Sequence, residues 1–296
     1  MAVSKVVKID ALAEGYRRCI GAILVEEGHL SPHQADDVGR YATELGLRFG
    51  EAAVQLKLVS NSQVQLALAR QFNYPLLARG GEHGVADDVV AAYQPQNDSV
   101  EPLRILRNQL MLRWLSLKPH KALAITSTGR GDGRSWLAAN LATVFAQAGK
   151  RTLLIDADLR HPSQHRLFNL DNGLGLSALL TGRAVGRDVI RRLHPSLRLF
   201  VLPSGVLPPN PQELITRTIF DEFLIKLSTM FDVVLLDTPA ASDGGDAHII
   251  AARAGTAVVV ARRNRTKVNE LTELVTSLTE TGTRVVGSVA NEFSRR

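Results

Sequence analysis

The sequence predicts an α/β protein: a parallel sheet with helices on both faces, built around a phosphate-binding loop and preceded by a small all-helical N-terminal domain. Three observations carry this. Short apolar runs alternate with helical patterns from residue 99 onward. A glycine-rich stretch, TSTGRGDGRSW (126–136), joins the first such run to a helix. Residues 14–77 carry helical patterns only. Alternating strands and helices fold as a parallel sheet covered on both faces, and a chain of 296 residues exceeds what one hydrophobic core usually organises.

Residues 1–13 read as a tail and 14–77 as the helical domain. A weak repeat runs through the latter at an offset of 29: IGAILVEEGHLSPHQ (20–34) lies over FGEAAVQLKLVSNSQ (49–63). Ser31 precedes Pro32, a cap followed by proline at the first helical position, and Ser60 can cap the equivalent helix. Two helical hairpins packed face to face follow from that pattern. Residues 78–98, with three glycines, a proline and mixed charge, read as a linker holding one short helix. The remainder, 99–296, is the sheet domain, with strands expected at 122–126, 152–156, 198–203, 231–237, 255–261 and 284–290. These are rich in Val, Ile and Leu, as strands buried on both faces are. Between the first two, 134–148 reads as a helix with Leu137, Leu141, Val144 and Phe145 on one side.

Ligands of such sheets sit beyond the carboxyl ends of the strands, and four elements fall there. The first is the glycine loop, comprising Gly129, Arg130, Gly131, Asp132, Gly133, Arg134, Ser135 and Trp136. Glycines let backbone N–H groups point at phosphate oxygens at the positive end of the following helix. Ser135 stands where such loops ligand magnesium through a hydroxyl. The second is LLIDADLR (153–160), whose Asp156 and Asp158 can hold magnesium through water or accept a proton from an attacking hydroxyl. The third is FDVVLLDTPA (231–240), in which Asp237 follows four apolar residues and suits a carboxylate behind the metal's water shell. The fourth is Asn291, ending the last strand, where it can reach a base edge.

Taken together, GDGRSWLAANLATVFAQAGKRTLLIDADLRHPSQHRLF, SGVLPPNPQELI and FDVVLLDTPA resemble the bacterial tyrosine kinases. These proteins have a phosphate-binding loop and regulate capsular and extracellular polysaccharide. The nearest pattern is the free-standing, cytoplasmic exopolysaccharide chain-length-determinant subgroup. The resemblance covers about 99–293. It implies ATP and Mg2+ as cofactors, with Ser135, Asp158 and Asp237 at the metal and Asp156 and Asp158 in catalysis, where Arg134 takes the place of the family's lysine. It implies a membrane chain-length-determinant (polysaccharide co-polymerase) partner that recruits the chain to the inner membrane. It also implies a homo-oligomer contacting through Glu101, Arg104 and Arg107, a trio that without it would be a solvated helix face. Residues 20–77 resemble the helical N-terminal domain of type II secretion and pilus-assembly ATPases, with Arg48, Gly50, Leu68 and Gln71 at matching positions. Some such domains bind cyclic di-GMP. Here Cys19 and Lys57 break that pattern, which favours protein docking.

Two departures bear on activity. Arg134 stands where the loop carries lysine. Arginine keeps the charge but is longer, planar and forked, so nucleotide binding is expected, while catalysis by a tyrosine kinase and a nucleotide-dependent assembly switch, or an inactive regulatory subunit, stay open. The tail, NEFSRR, holds no tyrosine, so acceptors are sought at Tyr16, Tyr41, Tyr74, Tyr93 or on another protein.

Composition limits the remainder. The single cysteine, Cys19, permits no internal disulfide and fits a reducing cytoplasm. The opening MAVSKVVKIDALAEG lacks the apolar core of a secretory signal. A net charge of +6 reads as a solvated basic surface, and at 5% aromatic residues an RNA-stacking face, or other nucleic-acid binding, is not expected. His161 with His165, and His29 with His33, lack a third ligand and read as ordinary surface or core histidines.

Overall fold

A computed structural model describes residues 19–77, 84–116 and 122–292. The chain divides into two compact units, at Met1–Ala78 and Arg79–Arg296.

In the first unit the repeat resolves into four helices: α1 (Ile20–Glu26), α2 (Pro32–Leu45), α3 (Phe49–Gln55) and α4 (Asn61–Gln71). The two serines singled out by the repeat both close reciprocal caps. Ser31 Oγ accepts from the Gln34 N–H at 3.2 Å while Gln34 Oε1 accepts from the Ser31 N–H at 2.8 Å. Ser60 and Gln63 make the same pair at 3.3 and 2.8 Å. Each cap satisfies helix N–H groups that otherwise have no partner, and is worth about 1 kcal/mol. The core between the helices is aliphatic, with Leu24, Val38, Ala52, Ala53 and Ala67 fully or almost fully buried.

The second unit opens with segments packed against the sheet domain's first long helix. Residues 84–98, read from sequence as linker, hold the short α5 (Val90–Tyr93), and Val85, Val89, Ala91 and Ala92 are buried. α6 (Val100–Leu110) follows and passes into a π-helical turn, Met111–Leu115, that buries Trp114. Next come β1 (Ala122–Ser127), α7 (Arg134–Gln147), β2 (Thr152–Asp156) and the short helices α8 (Gln164–Leu167), α9 (Leu176–Leu180) and α10 (Gly186–Val189). Then come β3 (Arg191–His194), β4 (Leu197–Leu202), α11 (Pro211–Ile215), α12 (Thr218–Met230) and β5 (Val233–Asp237). The chain ends with α13 (Asp246–Ala254), β6 (Thr256–Arg262), α14 (Val268–Glu280) and β7 (Arg284–Asn291).

The seven strands lie in the order β3-β4-β2-β5-β1-β6-β7. All neighbours are parallel except β3 and β4. All six expected strands are present. The antiparallel edge strand β3 was not expected, because Arg191-Arg192-Leu193-His194 carries one apolar side chain and only that one is buried. β1, β2 and β5 are buried at every residue, as central strands covered on both faces must be. α7 is buried on nearly all sides, since α5 and α6 cover the side turned away from the sheet. That is why its sequence lacks a polar face. Its buried polar side chains are satisfied locally: Asn140 accepts from the Ala91 N–H and donates to the Asp88 and Trp136 carbonyls, and Gln147 donates to the Ala91 carbonyl. No helix among the described residues is long and apolar enough to cross a membrane.

Candidate active site

Strand register brings the expected residues together. Asp156 at the end of β2 pairs with Asp237 at the end of β5, and Asp237 pairs with Ile125 of β1, one strand away from the glycine loop. Three adjacent central strands therefore deliver both aspartates and the loop to the carboxyl ends of the strands, where doubly wound sheets bind ligands. Asp156 and Asp237 are fully buried, and Asp158 is 4% exposed.

The loop is braced from within. Gly131 and Gly133 have φ of 78° and 99°, a region open to glycine. At Gly133 a Cβ would also stand 2.0 Å from Asn291 Nδ2, so a side chain there is strained by the backbone and must displace the Asn291 amide. Asp132 turns inward: its Oδ2 accepts from the Gly129 N–H at 2.9 Å and from Thr128 Oγ1 at 3.3 Å. Asn291 Nδ2 donates to the Asp132 carbonyl at 2.9 Å. The amide expected at a base edge thus supports the loop from the end of β7.

Arg134 answers the question its position raises. It is buried, and its guanidinium is held by three acceptors. Nε donates to the Thr238 carbonyl at 3.0 Å, while Nη1 donates to Ser127 Oγ at 2.6 Å and to the Gly129 carbonyl at 2.8 Å. Thr238 is itself tied to β1 through Oγ1 and the Ile125 carbonyl at 3.0 Å. The fork therefore links the loop to the ends of two strands, which one ammonium could not do.

The carboxylates are poised by burial. Asp237 is pushed up to about 6, chiefly by loss of water. The Arg134 charge, the Gln164 hydrogen bond and the nearby Ser135 hydroxyl pull it back, and Asp158 pushes it further up. Asp156 is held well above the usual carboxylate range by burial and by the neighbouring Asp237 charge, against two backbone donors. Those donors are the Ser163 and Gln164 N–H groups, at 2.9 and 2.8 Å from Oδ2. Asp158 Oδ1 accepts from the Arg160 and His161 N–H groups at 3.0 and 2.7 Å.

Several residues here were not legible from motifs. Gln164 is fully buried and donates through Nε2 to Asp237 Oδ2 at 2.7 Å and to the Ser135 carbonyl at 3.1 Å. Asp243 accepts both bonds from Arg130 Nε at 2.8 Å, and Asp246 takes Arg160 in a two-pronged pair at 2.7 and 3.1 Å. A second aspartate-rich stretch, Asp243-Gly-Gly-Asp246, shortly after Asp237 was the available signal for the last two. Arg262 donates to the Gly131 carbonyl at 3.1 Å from the end of β6.

The residues fit a magnesium ion held with a nucleotide. Asp156 Oδ1 and Asp237 Oδ1 are buried with no hydrogen-bond partner among the described residues. Buried carboxylate oxygens without donors are costly unless a cation or its waters supply them. No group of three histidine, cysteine, aspartate or glutamate side chains among the described residues forms a metal cluster by itself. A cleft of about 1420 Å3 opens over the site, lined by Arg130, Gly131, Ser135, Asp158, Arg262 and Asn291 among others. Asp158 reaches that cleft, whereas Asp156 and Asp237 lie behind its lining.

The oligomerisation trio stands on α6. Arg104 pairs with Glu101 at 3.2 Å, and Arg107 Nη1 donates to the Val144 carbonyl of α7 at 3.1 Å. Among the expected acceptor tyrosines, Tyr16 lies outside the described residues. Tyr93 is buried and its hydroxyl donates to the Val85 carbonyl, so it is a poor acceptor. Tyr41 is partly buried against the helical core of the first unit.

Residues 123–296 match the CobQ/CobB/MinD/ParA nucleotide binding domain. The tyrosine-protein kinase YwqD of Bacillus subtilis is 33% identical over 204 residues, covering 69% of this chain and 85% of the relative. The tyrosine-protein kinase wzc of Salmonella typhimurium is 34% identical over 213 residues, but these are only 29% of that longer protein. Among solved structures, the kinase domain of the Escherichia coli tyrosine kinase ETK superposes with a TM-score of 0.66 at 30% identity, covering 70% of this chain and 81% of that one.

Proposed function

Because the chain belongs to the CobQ/CobB/MinD/ParA nucleotide-binding family and, within it, to the bacterial tyrosine-protein kinases, we propose that it transfers the γ-phosphoryl group of ATP–Mg to tyrosine in the control of exopolysaccharide chain length and export. The observation that carries the proposal is the convergence of Ser135, Arg134, Asp156, Asp158 and Asp237 at the carboxyl ends of the central strands. Loop N–H groups and the Arg134 charge receive the phosphates. The Ser135 hydroxyl, with Asp158 and Asp237 through water, holds magnesium. When bound, the metal neutralises charge on the phosphoryl oxygens.

Asp158 is the carboxylate assigned to accept the tyrosine proton, because it is the one that lines the cleft. Asp156 serves by shaping the site: its Oδ2 holds the Ser163–Gln164 turn through two N–H groups. The chain works in the cytoplasm beside a membrane polysaccharide co-polymerase, which recruits it, and in a homo-oligomer contacting through Glu101, Arg104 and Arg107. The helical unit docks a protein partner; cyclic di-GMP is the less favoured ligand.

Incubation with labelled ATP and magnesium, reading phosphotyrosine and free phosphate together, tests this. The expected result is phosphotyrosine on the chain or on an added partner, lost in Asp158→Asn. Free phosphate without phosphotyrosine refutes the kinase assignment and leaves a nucleotide-driven assembly switch.

A further inference from the structure

Resting on that reading, we propose that Gln164 is a positioning residue for the magnesium–nucleotide complex, its side-chain amide fixing Asp237 and the start of α7 relative to each other. Gln164 lies in the stretch that carries the family resemblance without being given a role by it, yet it is fully buried in the middle of the carboxylate group. Its backbone N–H donates to Asp156 Oδ2 at 2.8 Å. Its Nε2 donates to Asp237 Oδ2 at 2.7 Å and to the Ser135 carbonyl at 3.1 Å. One residue thus touches β2, β5 and the helix that begins with the loop.

The chemistry fixes the amide's orientation. Both groups facing Nε2 are acceptors, a carboxylate and a carbonyl, so the NH2 end must lie there. Oε1 then points the other way, buried and without a donor among the described residues, as are Asp156 Oδ1 and Asp237 Oδ1. Three donor-less oxygens therefore belong to three residues joined by hydrogen bonds, Asp156 to the Gln164 backbone N–H and Asp237 to its amide. A purely structural glutamine would be expected to satisfy both ends of its amide. Here the donor end secures one oxygen of Asp237, which leaves the other directed by geometry, and the acceptor end is left for a donor that arrives with the ligand. Hydration water on a cation is such a donor. A neutral amide also braces Asp237 without competing with a cation, as a lysine or arginine in its place would.

The test separates positioning from packing. The full-length protein is titrated calorimetrically with a non-hydrolysable ATP analogue, once with magnesium and once with EDTA, as wild type, Gln164→Met and Gln164→Ala. Methionine keeps the volume and removes the donor; alanine guards against a misfit of methionine. Loss of a group that orients a metal site typically costs 10–100-fold in metal affinity. The gain in affinity on adding magnesium should therefore fall by about tenfold or more in both variants, while affinity in EDTA stays within about twofold. An unchanged magnesium gain overturns the inference alone. So does a parallel loss in both arms, or loss of the fold in both variants, since either marks a packing residue. A wild type that binds no nucleotide overturns the inference and the kinase reading together.

Discussion

Replacing Asp237 by asparagine should stabilise the nucleotide-free protein while weakening the function its carboxylate serves. The carboxyl is fully buried and pushed up to about 6 from an ordinary 3.8. Between those values the folded chain holds a proton that the unfolded chain has released. Stability from this group is thus present below about pH 4 and lost as pH rises to about 6. A shift of about two units corresponds to about 3 kcal/mol carried as a penalty at neutral pH. Asparagine keeps the shape and can still accept from Gln164 without the charge, so it should recover about 1–3 kcal/mol at pH 8 and almost nothing at pH 4. Urea unfolding in EDTA, followed by tryptophan fluorescence at several pH values, measures this. The two tryptophans, Trp114 and Trp136, both lie in the larger unit, so the signal reports on that unit alone. Magnesium-dependent nucleotide affinity should fall in the same variant. An asparagine variant less stable than wild type at pH 8, or a difference that does not grow between pH 4 and 6, would refute the linkage between burial and charge on which the reasoning rests.

Arg134→Lys should cost about 1.5–3 kcal/mol in the same assay, because the shorter side chain cannot keep the Thr238 carbonyl together with Ser127 and Gly129; wild-type stability in the lysine variant would show that the fork is incidental. Gly133→Ala should cost at least about 1–3 kcal/mol and abolish nucleotide binding, from its φ of 99° and the contact with Asn291. Adding Asn291→Ala should restore only the part due to the contact, as a double-mutant cycle measures.

The centre of the sheet was legible because β1, β2 and β5 are buried on both faces, which leaves short unbroken aliphatic runs. β3 escaped for the complementary reason: an edge strand buries one side chain in four and looks like surface. The carboxylates were legible by position, as acidic residues ending apolar runs. The supporting side chains were not. Gln164 has no periodic or compositional mark, and its role exists only where β2, β5 and α7 meet. Asn291 was found by its place at a strand end, yet it holds the Asp132 carbonyl, a long-range pairing that spacing cannot reveal. Within the stretch read as a linker with one short helix, 78–98, that helix is present at Val90–Tyr93, and Ala91 is buried and tied to Asn140 of α7.

The arginine in the loop bears on whether this site is maintained or has decayed. A site released from function tends to lose what is costly to keep, because replacing a buried, unpaired acid can stabilise the fold. Asp156 and Asp237 are kept side by side, fully buried, each with one oxygen lacking a donor. That arrangement destabilises the chain without ligand. Arg134 has no such cost: it pairs Nε with one strand end and Nη1 with the loop and a second strand end. A random lysine-to-arginine drift would leave the extra donors of the fork pointing at whatever was nearby. Instead the Thr238 carbonyl that receives Nε belongs to the residue directly after Asp237, so the fork sets the backbone next to the very carboxylate whose charge it steadies. Costly acids preserved beside a cation whose geometry supports them are the combination expected of a working phosphate site built around arginine.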